Sequence, residues 1–157
     1  MLGYNDNEIT KITPAIWFGG DLKFTVPIYQ RLFTWGEEQF DRLLNDLKEC
    51  DGNEPYYLGI ITVVKKDDKY ILIDGQQRLT VIAILASMLG WYSDKDPENF
   101  LAYEARPADQ KALKKIWEFG KTWIGKETDI EHMLESAGIS SDSMKKFIRH
   151  IVRNRND

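Results

Sequence analysis

Three long polar side chains, Gln76, Gln77 and Arg78, follow directly on Tyr70-Ile71-Leu72-Ile73-Asp74-Gly75, where a buried-looking strand runs through one glycine into a helix. That layout makes an anion site. The first amides of a helix lack intrahelical partners and the helix dipole is positive there, so the N–H groups of Gln76, Gln77 and Arg78 are placed to hold a phosphate. Arg78 adds a fork of donors matched to phosphate oxygens. Gly75 allows a sharp turn and lets a ligand approach without meeting a Cβ. Thr80, just beyond, counts with this phosphate-binding group. Asp74 has two readings: a helix N-cap whose carboxylate accepts from Gln76 or Gln77, or a carboxylate that is linked to Mg²⁺ or orients water.

A second polar cluster, Val26-Pro27-Ile28-Tyr29-Gln30-Arg31, sets an amide and a guanidinium directly after a short extended run. Gln30 and Arg31 either face the same ligand, or Arg31 pairs with the acidic helix that follows, an exposed ion pair of little energetic worth. Tyr29 and Trp35 read as packing residues, with stacking on a base as the alternative. Cys50 lies between the acidic Glu49 and Asp51, surroundings opposite in charge to those of reactive thiols, so it is no candidate nucleophile. With one cysteine and only His132 and His150, no Cys/His zinc constellation can be assembled, and a histidine-built metal nuclease site is disfavoured. A GxxxxGK[ST] segment is absent, which excludes a Walker-type loop.

In order and spacing, Val26 to Arg31 with Trp35, then Tyr57-Leu58-Gly59, then Ile73 to Thr80 resemble the N-terminal domain of the GmrSD-type restriction endonucleases. The resemblance covers residues 15–106, with Arg106 matching a later arginine of the family; the helical remainder is similar only loosely. It implies a ParB/sulfiredoxin-like fold, in which a small mixed sheet and packed helices present a strand–Gly–helix turn to a nucleotide. It also implies nucleotide binding and hydrolysis in defence against modified foreign DNA. The family's proline after Gln-Arg is Leu32 here, and Gln76 stands where sulfiredoxin-like chemistry places a cysteine, so thiol-based repair is disfavoured. Family nuclease function commonly depends on a further C-terminal domain, and the chain therefore reads as a fragment or a stand-alone sensor.

The resulting expectation is an NTP-hydrolysing sensor domain of a modification-dependent restriction system. Arg31, Gly75, Gln76, Arg78 and Thr80 bind the nucleoside triphosphate, Gln30 or Gln77 orients the attacking water, and Asp74 holds Mg²⁺. DNA is reached through a partner or a further nuclease domain. The alternatives are a DNA-binding or modified-DNA-sensing module without hydrolysis, whose affinity would fall steeply with salt, and a ParB-like nuclease.

Such a site needs a rigid frame, and the composition supplies one: 157 residues, 43% hydrophobic and 12% aromatic, suffice for a packed core. A net charge of -4 argues against strong non-specific nucleic-acid affinity of the whole chain. The longest apolar run, Val81 to Leu85, is far short of the roughly 20 residues that span a bilayer, and a cytoplasmic location is expected.

The pattern gives an α/β front half, residues 1–106, and a helical portion, 107–157, belonging to the same domain or opening a truncated helical region. Ile9 to Phe18 suggest a short packing helix or turn, and Lys23 to Val26 a strand ended by Pro27. Thr34 and Glu37 form a capping box for a helix with Phe40, Leu43, Leu44 and Leu47 inward. Tyr56–Val64 and Tyr70–Ile73 read as a hairpin, in which Gly59 allows close approach of another element. The helix after Gly75 is apolar nearly all round, hence central, and Gly90 closes it. Pro107 opens a helix through Trp123, Thr128 and Glu131 cap a short one ending near Gly138, and Met144, Phe147, Ile148, Ile151 and Val152 mark an amphipathic last helix with a basic outer face.

Overall fold

Side-chain alternation builds the sheet. The computed structural model describes residues 9–20, 22–28, 34–90, 95–122 and 127–153. After a short helix, α1 (Pro14–Gly19), capped by the Thr13 side chain, come four strands: β1 (Phe24–Val26), β2 (Thr62–Lys66), β3 (Lys69–Asp74) and β4 (Leu101–Tyr103). Phe24, Val26, Tyr70, Leu72 and Leu101 are buried, while their neighbours Thr25, Ile71 and Ala102, in register with one another, lie on the less covered face. The strand order is β2-β3-β1-β4, with β1 parallel to both β3 and β4 and an antiparallel β2–β3 hairpin. The chain is thus α/β with a small mixed sheet.

The hairpin forms as its sequence demands, but its first strand starts at Thr62 rather than Tyr56. Gly59 takes φ +114°, and the Ile60 carbonyl accepts from Arg78, so residues 56–61 are drawn off the ladder and leave Tyr57 and Ile60 exposed. β4 has no counterpart in the sequence reading. It is three residues long, too short for alternation to show.

Helix α2 (Glu37–Glu49) is capped at Gly36, whose N–H donates to Gln39 Oε1 at 2.9 Å, so the box expected from Thr34 and Glu37 does not form. Phe40 and Leu43 face inward as expected. Helix α3 (Gln76–Met88) buries Leu79, Val81, Ile82, Ala83, Ile84, Ala86 and Met88, and Gly90, at φ +70°, closes it. Helix α4 (Pro107–Thr122) crosses the C-terminal end of α3 at Gly120, where a Cβ would stand 1.8 Å from the Ser87 carbonyl oxygen. Only glycine fits there.

Thr128 lies inside helix α5 (Glu127–Ala137) and so does not cap it; Glu131 instead receives Arg149 Nε at 2.6 Å and Nη2 at 2.9 Å. Helix α6 (Asp142–Arg153) buries all five of its expected apolar residues, and Phe147 stacks on Phe40 with centroids 4.3 Å apart. Part of its basic face is tied down, since Lys146 pairs with Glu37 as Arg149 does with Glu131. Ile116, Ile130 and Ile148 share one buried cluster with Leu72 and Leu101, so the last three helices build the core that the sheet rests on. Trp123 falls outside the described residues, and no described helix is long and apolar enough to cross a membrane.

Candidate functional site

Because β1, β3 and β4 run parallel, their C-terminal ends open on one edge of the sheet, the position at which α/β sheets receive ligands. Three segments meet that edge: the chain following Val26, the Gly75 turn, and Glu104 to Arg106. Helices α3 and α4 both start there, with the Arg106 carbonyl accepting the first bond of α4 from Gln110 N–H at 3.2 Å.

At the Gly75 turn the cap is the glycine itself, at φ +99°. Asp74 Oδ1 accepts from Gly75 N–H at 2.9 Å, not from Gln76 or Gln77, so the expected Asp74 N-cap is displaced by one residue. The first helical bond is Leu79 N–H to the Gly75 carbonyl, 3.0 Å, and the amides of Gln76, Gln77 and Arg78 precede it. The bare face of Gly75 is not left to a ligand: a Cβ there would meet Ile61 Cγ2 at 2.6 Å. Its absence lets β2 approach.

The polar side chains of this turn diverge as helical geometry requires, 100° per residue. Gln77 turns to Thr34, its Oε1 accepting from Thr34 N–H at 3.0 Å and its Nε2 donating to Thr34 Oγ1 at 2.8 Å. Arg78 lies across Gly59 and donates from Nη1 to the Ile60 carbonyl at 2.9 Å. Thr80 Oγ1 donates to the Gln76 carbonyl at 2.8 Å and lies 2.7 Å from the Tyr103 hydroxyl. Burial pushes the Tyr103 phenol far above its usual range, against the smaller opposing effect of the Thr80 hydrogen bond, so it is a neutral hydroxyl at physiological pH. Gln76 is 7% exposed, and its carboxamide makes no hydrogen bond among the described residues. Its amide faces a cavity between α3 and α4 rather than another side chain.

Two cavities, each about 260 Å³, flank the turn. The first opens between α3, α4 and the α5–α6 connection and is lined by Gln76, Gln77, Thr80, Tyr103 and Arg106, backed by apolar residues of both helices. The second lies on the α2 side and is lined by Trp35, Arg42, Tyr56 and Arg78. The structure thus brings Gln76, Gln77 and Thr80 together and sends the Arg78 guanidinium to the other side. Asp74 is exposed and lines neither cavity; Gln30 and Arg31, with Tyr29, lie outside the described residues. Among the described residues no cluster of three or more metal-ligating side chains exists. Sequence reasoning missed Thr34 and Tyr103 as partners of this turn. A three-residue strand and a loop threonine carry no local signal, and only the position of Arg106 just before Pro107 hinted at a helix start facing the site.

The family model of the GmrSD restriction endonuclease N-terminal domain matches residues 15–156. The chain belongs to this family. The match runs through the helical part, whose sequence motifs are similar to the family only loosely, so α4, α5 and α6 are part of what defines a GmrSD N-terminal domain. Membership implies a role in a restriction or defence system. Curated proteins and solved structures yielded no match.

Proposed function

We propose that this GmrSD N-terminal domain binds a nucleoside triphosphate at the edge where α3 and α4 begin, and hydrolyses it as the sensing step of its restriction system. The observation that carries the reading is the shared opening of two helix N-termini onto one cavity that is also lined by Arg106 and Gln76. Both helix dipoles favour negative charge there, and the free amides of Gln76, Gln77 and Arg78 supply donors. Arg106, its side chain 19% exposed and 3.7 Å from Asp109, provides the guanidinium for phosphate. Arg78 contributes its N–H, while its side chain fixes the 59–61 segment against the helix.

Mg²⁺ would arrive with the triphosphate, keeping water and phosphate oxygens as most of its ligands, and Asp74 would offer a carboxylate beside the turn. The metal would neutralise developing charge on the phosphates. Gln76 then suits the role of orienting water, since the Gln77 amide is engaged with Thr34. Gln30 and Arg31 keep the roles the sequence assigns them.

Isothermal titration of ATP, GTP and CTP with Mg²⁺ into the wild type and Arg106→Ala, both shown folded by circular dichroism, tests the reading. Binding that the variant loses supports it; binding of equal strength in a folded variant removes Arg106, and no binding to the wild type removes the nucleotide.

A further inference from the structure

The first cavity is polar at one end and apolar at the other, and both of its helical walls grade in the same direction. α3 contributes Gln76, Thr80 and Ile84, spaced i, i+4, i+8, and α4 contributes Leu113 and Ile116, with Arg106 directly before its first residue. From Gln76 to Ile84 the helix rises about 12 Å. Asp109, next to Arg106, has a side chain 48% exposed, whereas Leu113 and Ile116 are buried, so along the α4 wall the charged end lies at an opening and the apolar end deeper, while the α5–α6 connection, with Gly138 and Ser140 exposed, forms the outer wall.

That gradient calls for a ligand with two chemistries along its length. A triphosphate does not enter the interior, because a polyanion among Ile84, Ile116 and Met144 would lose its hydration with nothing to replace it. Nor is there room for a whole nucleotide: about 260 Å³ falls below the 300–1,000 Å³ of sites that enclose drug-sized ligands. A flat aromatic ring fits in both size and polarity.

We infer that the interior between α3, α4 and the α5–α6 connection seats the nucleobase, with the phosphates left at the mouth. This rests on the nucleotide reading above and makes the helical half of the chain a wall of the site. Base preference is then set by Ala112, Ile139 and Met144 rather than by the glutamine-arginine turn. The ring gains affinity by burial and contact with the apolar wall, and Ser140 and Ser141 beside Ile139 are the polar side chains of that wall.

The experiment titrates ATP, GTP, CTP and inorganic tripolyphosphate into the wild type and Ala112→Phe, whose ring would occupy the seat. Expected is a loss of about tenfold or more for the nucleotides, about 1.4 kcal/mol, with tripolyphosphate affinity unchanged. Intermolecular NOEs in the wild type, from base protons to the methyl groups of Ile84, Ile116 or Met144, give the same answer should Ala112→Phe fail to fold. Nucleotide binding with no such NOEs, or with a folded Ala112→Phe of wild-type affinity, overturns the base seat while leaving the nucleotide reading intact. If neither nucleotides nor tripolyphosphate bind the wild type, both fall.

Discussion

The guanidinium of Arg78 lies flat against the backbone of Gly59: a Cβ at Gly59 would be 2.8 Å from Arg78 Cζ, and Nη1 reaches past it to the Ile60 carbonyl at 2.9 Å. In this structure the Arg78 side chain acts as a strut that holds an irregular segment to the first turn of α3. Gly59→Ala meets both this contact and a φ of +114°, and should cost about 1–3 kcal/mol in urea unfolding. In an Arg78→Ala background the steric part disappears. A coupling of about 0.5–3 kcal/mol between the two changes is expected, and strict additivity would refute the strut.

Gly120 sets how closely α4 approaches the end of α3, because α4 touches the α3 backbone there. Gly120→Ala puts a methyl 1.8 Å from the Ser87 carbonyl and must push the helices apart, at a cost of about 1–3 kcal/mol or more. Thermal unfolding followed by circular dichroism reads this directly. A variant as stable as the wild type would mean that the two helices do not meet at this point.

Gln77 and Thr34 make a closed amide–threonine pair that anchors the chain just before α2 to the start of α3. Gln77→Ala should destabilise by about 1 kcal/mol, the net worth of such bonds, and Thr34→Ala should add little once Gln77 is gone. Full additivity of the two would contradict the pair.

Tyr103 gives a pH signature. Its folded pKa is raised above the ordinary 10.0, chiefly by burial, so the folded state holds this proton more tightly than the unfolded chain. Its contribution is fully present below about pH 10 and is lost as pH climbs above that value. Unfolding free energies measured between pH 8 and the alkaline limit should fall more steeply for the wild type than for Tyr103→Phe. Equal slopes would mean that the hydroxyl is not buried.

Much of this fold was legible because its strongest signals are local. The all-round apolar run after Gly75, the five inward residues of α6 and the β2–β3 hairpin each carry a period or a turn that needs no tertiary help. The failures share one cause. Thr34 looks like a cap until Gln77, 43 residues away, claims its hydroxyl; Thr128 looks like one until α5 is found to begin ahead of it. β4 is a strand because β1 offers it an edge, not because Leu101-Ala102-Tyr103 prefers one. At the site, sequence located the turn but not the directions of its side chains. Adjacent residues on a helix point 100° apart, and so Gln76 and Arg78 serve different cavities.

The most direct test of the central claim follows the backbone amides of the chain by ¹⁵N-¹H NMR during titration with ATP or GTP and Mg²⁺. The account expects the amides of Gln76, Gln77 and Arg78 and of Ala108 and Asp109, at the starts of α3 and α4, to shift together and saturably with one affinity. Shifts confined to α2 and residues 56–60 would place the ligand in the Arg78 cavity and contradict it.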